Sequence, residues 1–179
     1  HERDEQSAWG LLGTVATWAT IALVALGGLL ALWPNLVTAP FGLEAERSAL
    51  MRDLVQIMAP ALALQGISAL LTAMLQAQRR FIGPAVVGVA FNLGIILALL
   101  LFGRSVYAAA WGVVAGAGAQ VLFQLPQLLS VIRASGRLQM GFSHPRLAVL
   151  MGGALPIATA SILQQINAFT DKAFAGGWF

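Results

Sequence analysis

The chain alternates long apolar runs with short polar breaks. Five runs stand out: 8–33, ended by Pro34; 54–77, ended by QRR; 81–102, ended by GRS; 106–132, ended by RASGR; and 147–175. A hydrocarbon core about 30 Å thick needs roughly 20 apolar residues in a helix, so each run is long enough to span it. In lipid a span must satisfy its own backbone, and a helix does so within one segment. A barrel would show alternating segments of about ten residues, and these runs are longer and do not alternate. The breaks at 78–80 and 103–105 are so short that the helices they join must be antiparallel neighbours. The fold class expected is all-α, a polytopic membrane helix bundle, with residues 1–179 forming one partial transmembrane domain. The loop 34–53, PNLVTAPFGLEAERSALMRD, carries helical spacing in its second half. That half is expected to lie at the interface and feed into the second span.

The spans are not uniformly apolar. Positions i, i+3, i+4 and i+7 share a helix face. On the fifth span that face reads Pro156, Thr159, Ala160, Leu163, Gln164, Asn167, Thr170 and Asp171, opposite Ile157, Ile162, Ile166, Phe169 and Ala173. The second span aligns Gln65, Ser68, Thr72 and Gln76. The third aligns Pro84, Gly88 and Asn92, and the fourth Gly112, Gly116, Gln120, Gln124 and Gln127. An unpaired amide in hydrocarbon costs several kcal/mol, so these stripes must turn away from lipid. Two destinations remain open. The amides can act as glue between closely packed helices, as the GVVAG at 112–116 suggests, or they can line a water-filled cavity that accepts a polar solute. The cavity-lining candidates are Gln65, Thr72, Gln76, Asn92, Gln120, Gln124, Thr159, Gln164 and Asn167. Asp171 lies on the polar stripe near one end of its span. It is a candidate ligand for a monovalent cation or a proton, or else an interfacial carboxylate paired with Lys172, which can itself snorkel to the interface. Pro60 and Pro126 fall within spans, where each frees a carbonyl and allows a bend.

Composition sharpens the class. Charged residues make up 9% of the chain against 59% hydrophobic, with a mean hydropathy of +0.81. Soluble domains carry about 25% charged residues, so water is not the main solvent. Cysteine is absent, which rules out disulfides and thiolate metal sites. The net charge of +3 reflects basic loops between apolar runs and points to membrane topology rather than to nucleic acid. Arg3, Arg79, Arg80, Arg133, Arg137 and Arg146 fall on one side; Arg47, Arg52 and Arg104, with Lys172, fall on the other. The first side is expected to be cytoplasmic, which places the N-terminus inside. The basic loop 133–146, with Leu138, Met140 and Phe142 interleaved, reads either as a plain inside loop or as one resting on anionic headgroups. No GxSxG, HExxH, Walker-type loop or paired intramembrane carboxylates occur, so no enzyme activity is expected. No initiator Met or signal-peptide pattern is visible, HERDEQ reads as the tail of a loop, and GGWF follows a charged pair. A piece of a longer polypeptide is therefore expected.

The stretch 53–100 resembles the MurJ/MviN family, the lipid II flippases of the multidrug/oligosaccharidyl-lipid/polysaccharide exporter superfamily. The likeness is carried by Pro60, LQAQRRF at 75–81, Pro84 and FNLG at 91–94, then Gln120, QLPQL at 124–128 and PIATASILQQINAFTDKAFA at 156–175. The resemblance implies a fourteen-helix transporter of which this chain holds the third to seventh helices. It implies alternating access that moves undecaprenyl-linked peptidoglycan precursor from the inner to the outer leaflet of the bacterial inner membrane. The partners implied are the lipid-linked oligosaccharide, membrane lipids and the remainder of the same polypeptide. No cofactor is expected beyond a monovalent cation such as sodium. Some members bind sodium through an acidic residue on the seventh helix, and the matching position is Asp171. The family's pyrophosphate-binding arginines lie on its first, second and eighth helices, outside this chain. Two other readings stay open: another transporter of the superfamily, such as a drug/cation antiporter or an O-antigen flippase, or a non-transporting membrane scaffold.

Overall fold

The computed structural model describes residues 2–39 and 44–135, together with the isolated positions Gly152, Gly153, Thr159 and Gln164. The fifth expected span therefore lies almost wholly outside the described residues. Within them the chain is helical: α1 (Glu2–Leu32), the short α2 (Asn35–Thr38), α3 (Ala45–Ala77), α4 (Ile82–Phe102) and α5 (Val106–Ser135). Four helices are long and apolar enough to cross a membrane, over Trp9–Leu32, Ala45–Ala77, Ile82–Phe102 and Val106–Arg133.

Three helices extend past their apolar runs: α1 starts at Glu2, α3 at Ala45, and α5 continues to Ser135. The second span was expected at 54, yet α3 begins at Ala45 and takes in AERSALMRD without interruption. With 33 residues it is roughly 50 Å long at about 1.5 Å per residue, well beyond a 30 Å hydrocarbon core. Pro60 and Pro126 sit inside α3 and α5, and both helices continue through them. Each leaves one carbonyl of the preceding turn without its usual donor.

The turns are closed by local hydrogen bonds. After α3, Arg80 N–H donates to Leu75 O at 2.8 Å and Arg79 N–H to Gln76 O at 2.9 Å. This is a Schellman closure, with Arg79 in the left-handed position at φ 57°. Glycine usually takes that place because an L side chain crowds its own backbone there. Between α4 and α5, Gly103 turns the chain at φ 83°, and Ser105 caps α5 by accepting from Ala108 N–H at 3.0 Å.

α5 is the hub. It packs against both α4 and α3, while α1 packs on the far side of α3 and α3 barely touches α4. The α4–α5 contact is a close backbone approach. A Cβ on Gly116 would lie 2.5 Å from Phe91 O, and one on Gly94 would run into the Gly116 backbone. A buried apolar cluster of Trp9, Leu71, Met74, Leu75, Leu128 and Val131 ties α1, α3 and α5 together near the end that carries Arg79, Arg80 and Arg133. At the opposite end Gln56 Nε2 donates to Ala31 O at 3.1 Å and Tyr107 OH to Asp53 Oδ2 at 3.1 Å.

Candidate functional site

Because α3 and α4 both lean on α5 but not on each other, a recess opens between them. Its volume is about 350 Å³, and it is lined by Gln65, Ser68, Ala69, Thr72, Ala73 and Gln76 of α3, Val87 of α4 and Gln120 of α5. The α3 wall has a simple origin. Positions 65, 69, 72, 73 and 76 fall on one helical face, and that face carries only amide, hydroxyl and methyl side chains. Gln65, Ala69, Ala73 and Gln76 are exposed and Thr72 is half-buried. Other outward faces look different: Leu97, Leu100 and Leu101 of α4 and Leu122 and Phe123 of α5 are exposed large apolar groups suited to acyl chains. Among the described residues no charged side chain lines the recess.

Behind this wall the polar groups are paired. Gln124 is fully buried at 0% exposure. Its Nε2 donates to Ser68 Oγ at 2.7 Å and to Gln120 O at 3.2 Å, and its Oε1 accepts from Thr72 Oγ1 at 3.0 Å. Every hydrogen-bonding direction of that amide except one lone pair is used, which is how a buried amide avoids the desolvation penalty. Gln127 acts in the same way toward α4. Its Oε1 accepts from Gly83 N–H at 3.0 Å, one of the first-turn donors that a helix leaves without an internal partner. Gln120 is 5% exposed, and its Nε2 donates to Val87 O at 3.3 Å. Its Oε1 is buried with no partner among the described residues.

The structure thus sorts the candidates. Gln65, Thr72, Gln76 and Gln120 meet at one recess. Gln124 lies behind it and joins α3 to α5, as expected of helix–helix glue. Asn92 is exposed, stands outside the recess lining and returns its Nδ2–H to Gly88 O of its own helix at 2.9 Å. Thr159 and Gln164 are exposed helical positions. Asn167 and Asp171 lie outside the described residues. Four lining residues are not among the sequence candidates: Ser68, which shares the stripe, Ala69, Ala73 and Val87. Val87 also accepts from Gln120 through its backbone carbonyl, for which no side-chain pattern exists. No group of three or more His, Cys, Asp or Glu that could hold a metal occurs among the described residues.

The family model described as Lipid II flippase MurJ matches residues 2–177. No solved structure matches the chain.

Proposed function

The chain belongs to the MurJ family of lipid II flippases and is a multi-pass membrane protein; from that premise we propose that it forms part of the N-terminal lobe of a transporter that carries undecaprenyl-linked peptidoglycan precursor from the inner to the outer leaflet by alternating access. The observation that carries this reading is the recess beside α3. Its wall is the small-and-polar stripe, while neighbouring outward faces are large and apolar. A headgroup leaving water must exchange its hydrogen bonds for others, or the transfer costs several kcal/mol per polar group. A hydrated wall of amides and hydroxyls offers that exchange while the lipid tail stays among acyl chains. Rocking of two lobes would then expose the recess to each side in turn. The end carrying Arg79, Arg80 and Arg133 faces the cytoplasm in this reading, in keeping with the positive-inside rule, and the membrane is the bacterial inner membrane. Asp171 is proposed as a sodium ligand whose partners come from later helices.

The scaffold reading draws on one specific observation, the saturated bonding of Gln124. That arrangement is packing and needs no solvent. It does not account for Gln65 and Gln76, which are exposed on α3.

Cysteine scanning separates the two readings, since this chain contributes no native cysteine. In the full-length protein in membranes, Gln65→Cys and Gln76→Cys are expected to react with a membrane-impermeant maleimide added to one side, while Leu97→Cys and Leu100→Cys stay unlabelled. Failure of both recess positions to react from either side, in folded protein, would sink the cavity reading. Flipping of a fluorescent lipid II by the same protein in proteoliposomes then tells a lipid II flippase from another transporter of the superfamily.

A further inference from the structure

We propose that the recess between α3 and α4 is the subsite for the neutral, hydroxyl-rich saccharide part of the lipid-linked substrate, and that Gln120 Oε1 is its acceptor for a substrate hydroxyl. This deepens the flippase reading and rests on it.

Three observations converge. First, the orientation of the Gln120 amide is settled by its surroundings. Val87 O can only accept, so the atom facing it must be the NH₂, and Oε1 is necessarily the other atom. Second, that Oε1 is buried, sits on a side chain only 5% exposed and has no partner among the described residues. A buried carbonyl left unmatched costs about 1–3 kcal/mol, so this acceptor, unpaired among the described residues, calls for a donor from outside them. Third, the side chain carrying it forms the floor of a recess whose lining is amide, hydroxyl and methyl, with no charged group.

The lining also decides which part of the substrate fits. A pyrophosphate needs cations or a cluster of N–H donors to replace its hydration, and among the described residues the recess lining holds no Lys or Arg. A saccharide is neutral, presents many O–H donors and alternates polar edges with C–H faces. It matches a wall in which Gln65, Thr72 and Gln76 alternate with Ala69 and Ala73. The volume of about 350 Å³ is at the lower end of small-ligand sites, enough for a sugar ring and too small for a whole headgroup.

The test uses the full-length protein in nanodiscs, with binding read by native mass spectrometry for two probes: undecaprenyl pyrophosphate, and the same carrier bearing its saccharide. Wild-type protein is expected to prefer the saccharide-bearing probe. Gln120→Leu, close in volume but without the acceptor, is expected to weaken that probe about ten-fold, the equivalent of one buried hydrogen bond, while the bare carrier binds as before. Gln65→Leu on the exposed wall acts as a second variant that places no demand on the packed interior, and it should shift the same preference in the same direction. Equal weakening of both probes, or no change with either variant, overturns the subsite. A Gln120→Leu protein that keeps the wild-type preference overturns it too, whatever its thermal stability, since the lost bond to Val87 O alone can lower stability. Wild-type protein that binds both probes equally defeats the subsite alone, whereas wild-type protein that binds neither defeats the flippase reading beneath it.

Discussion

Helix α3 has a recess on each flank, and the two differ in chemistry far more than in size. On the α4 side the space is about 350 Å³ and its α3 wall is Gln65, Ser68, Thr72 and Gln76. On the α1 side it is about 300 Å³, and α3 contributes Ile67, Leu70, Leu71 and Met74 against Gly13, Ala16, Thr17, Thr20 and Ile21 of α1. An acyl chain can fill the second at no desolvation cost. Nothing in a bilayer core can fill the first without leaving amides unmatched. A shallow groove on a membrane helix therefore says little by its shape alone. Its function is decided by what its wall demands of the occupant.

Three substitutions test that contrast. The largest effect should come from Gly116→Val, which acts only on the polar side. The new Cβ would fall 2.5 Å from Phe91 O, so α4 must move off α5 and take Val87 away from Gln120. A loss of about 3 kcal/mol is expected, at the upper end for forced overpacking, measured by chemical unfolding of the full-length protein in detergent. Gln124→Leu comes next. It strands Ser68 Oγ and Thr72 Oγ1 behind the wall, with an expected loss of about 1–2 kcal/mol, since single interhelical bonds in membranes average nearer 0.6. Unchanged stability would mean water takes over those partners, so that solvent reaches deeper than the exposed wall. The smallest effect is expected for Thr17→Val on the apolar flank. Thr17 Oγ1 bonds only to Gly13 O of its own helix at 2.8 Å, so the unfolding midpoint should shift by less than about 0.5 kcal/mol.

The four spans were legible because hydropathy measures how long the chain can stay in oil, and breaks such as QRR and GRS are unambiguous. Helix ends were less legible for the same reason. AERSALMRD is too charged to count toward a span by hydropathy, but its helical spacing marks it as a helix feeding into the second span, and α3 does carry on through it. The turn after α3 shows another limit. The Schellman closure normally announces itself with glycine, and here Arg79 stands in its place. At the site, periodicity grouped Gln65, Ser68, Thr72 and Gln76 correctly, because one helix decides that grouping. It could not say which neighbour each stripe would meet. Asn92 and Gln124 both sit on polar stripes, yet one faces out and the other is sealed against α3. That outcome depends on which helix packs on each face, and the close α4–α5 approach is permitted by Gly94 and Gly116 rather than by the amides themselves.

The amides of α5 are also unevenly placed along its length. From Val106 to Ala119 the helix reads VYAAAWGVVAGAGA, without one amide or charge, and Gln120, Gln124 and Gln127 all follow. At about 1.5 Å per residue the dry portion measures roughly 20 Å. On the proposed reading a sugar arriving from the Arg79 end would meet the exposed amides of Gln76 and then Gln65 on α3, with only the dry portion of α5 beyond them. The summit of such a crossing would be displaced toward the far leaflet, and a headgroup that pauses en route would do so on the near side of the midplane.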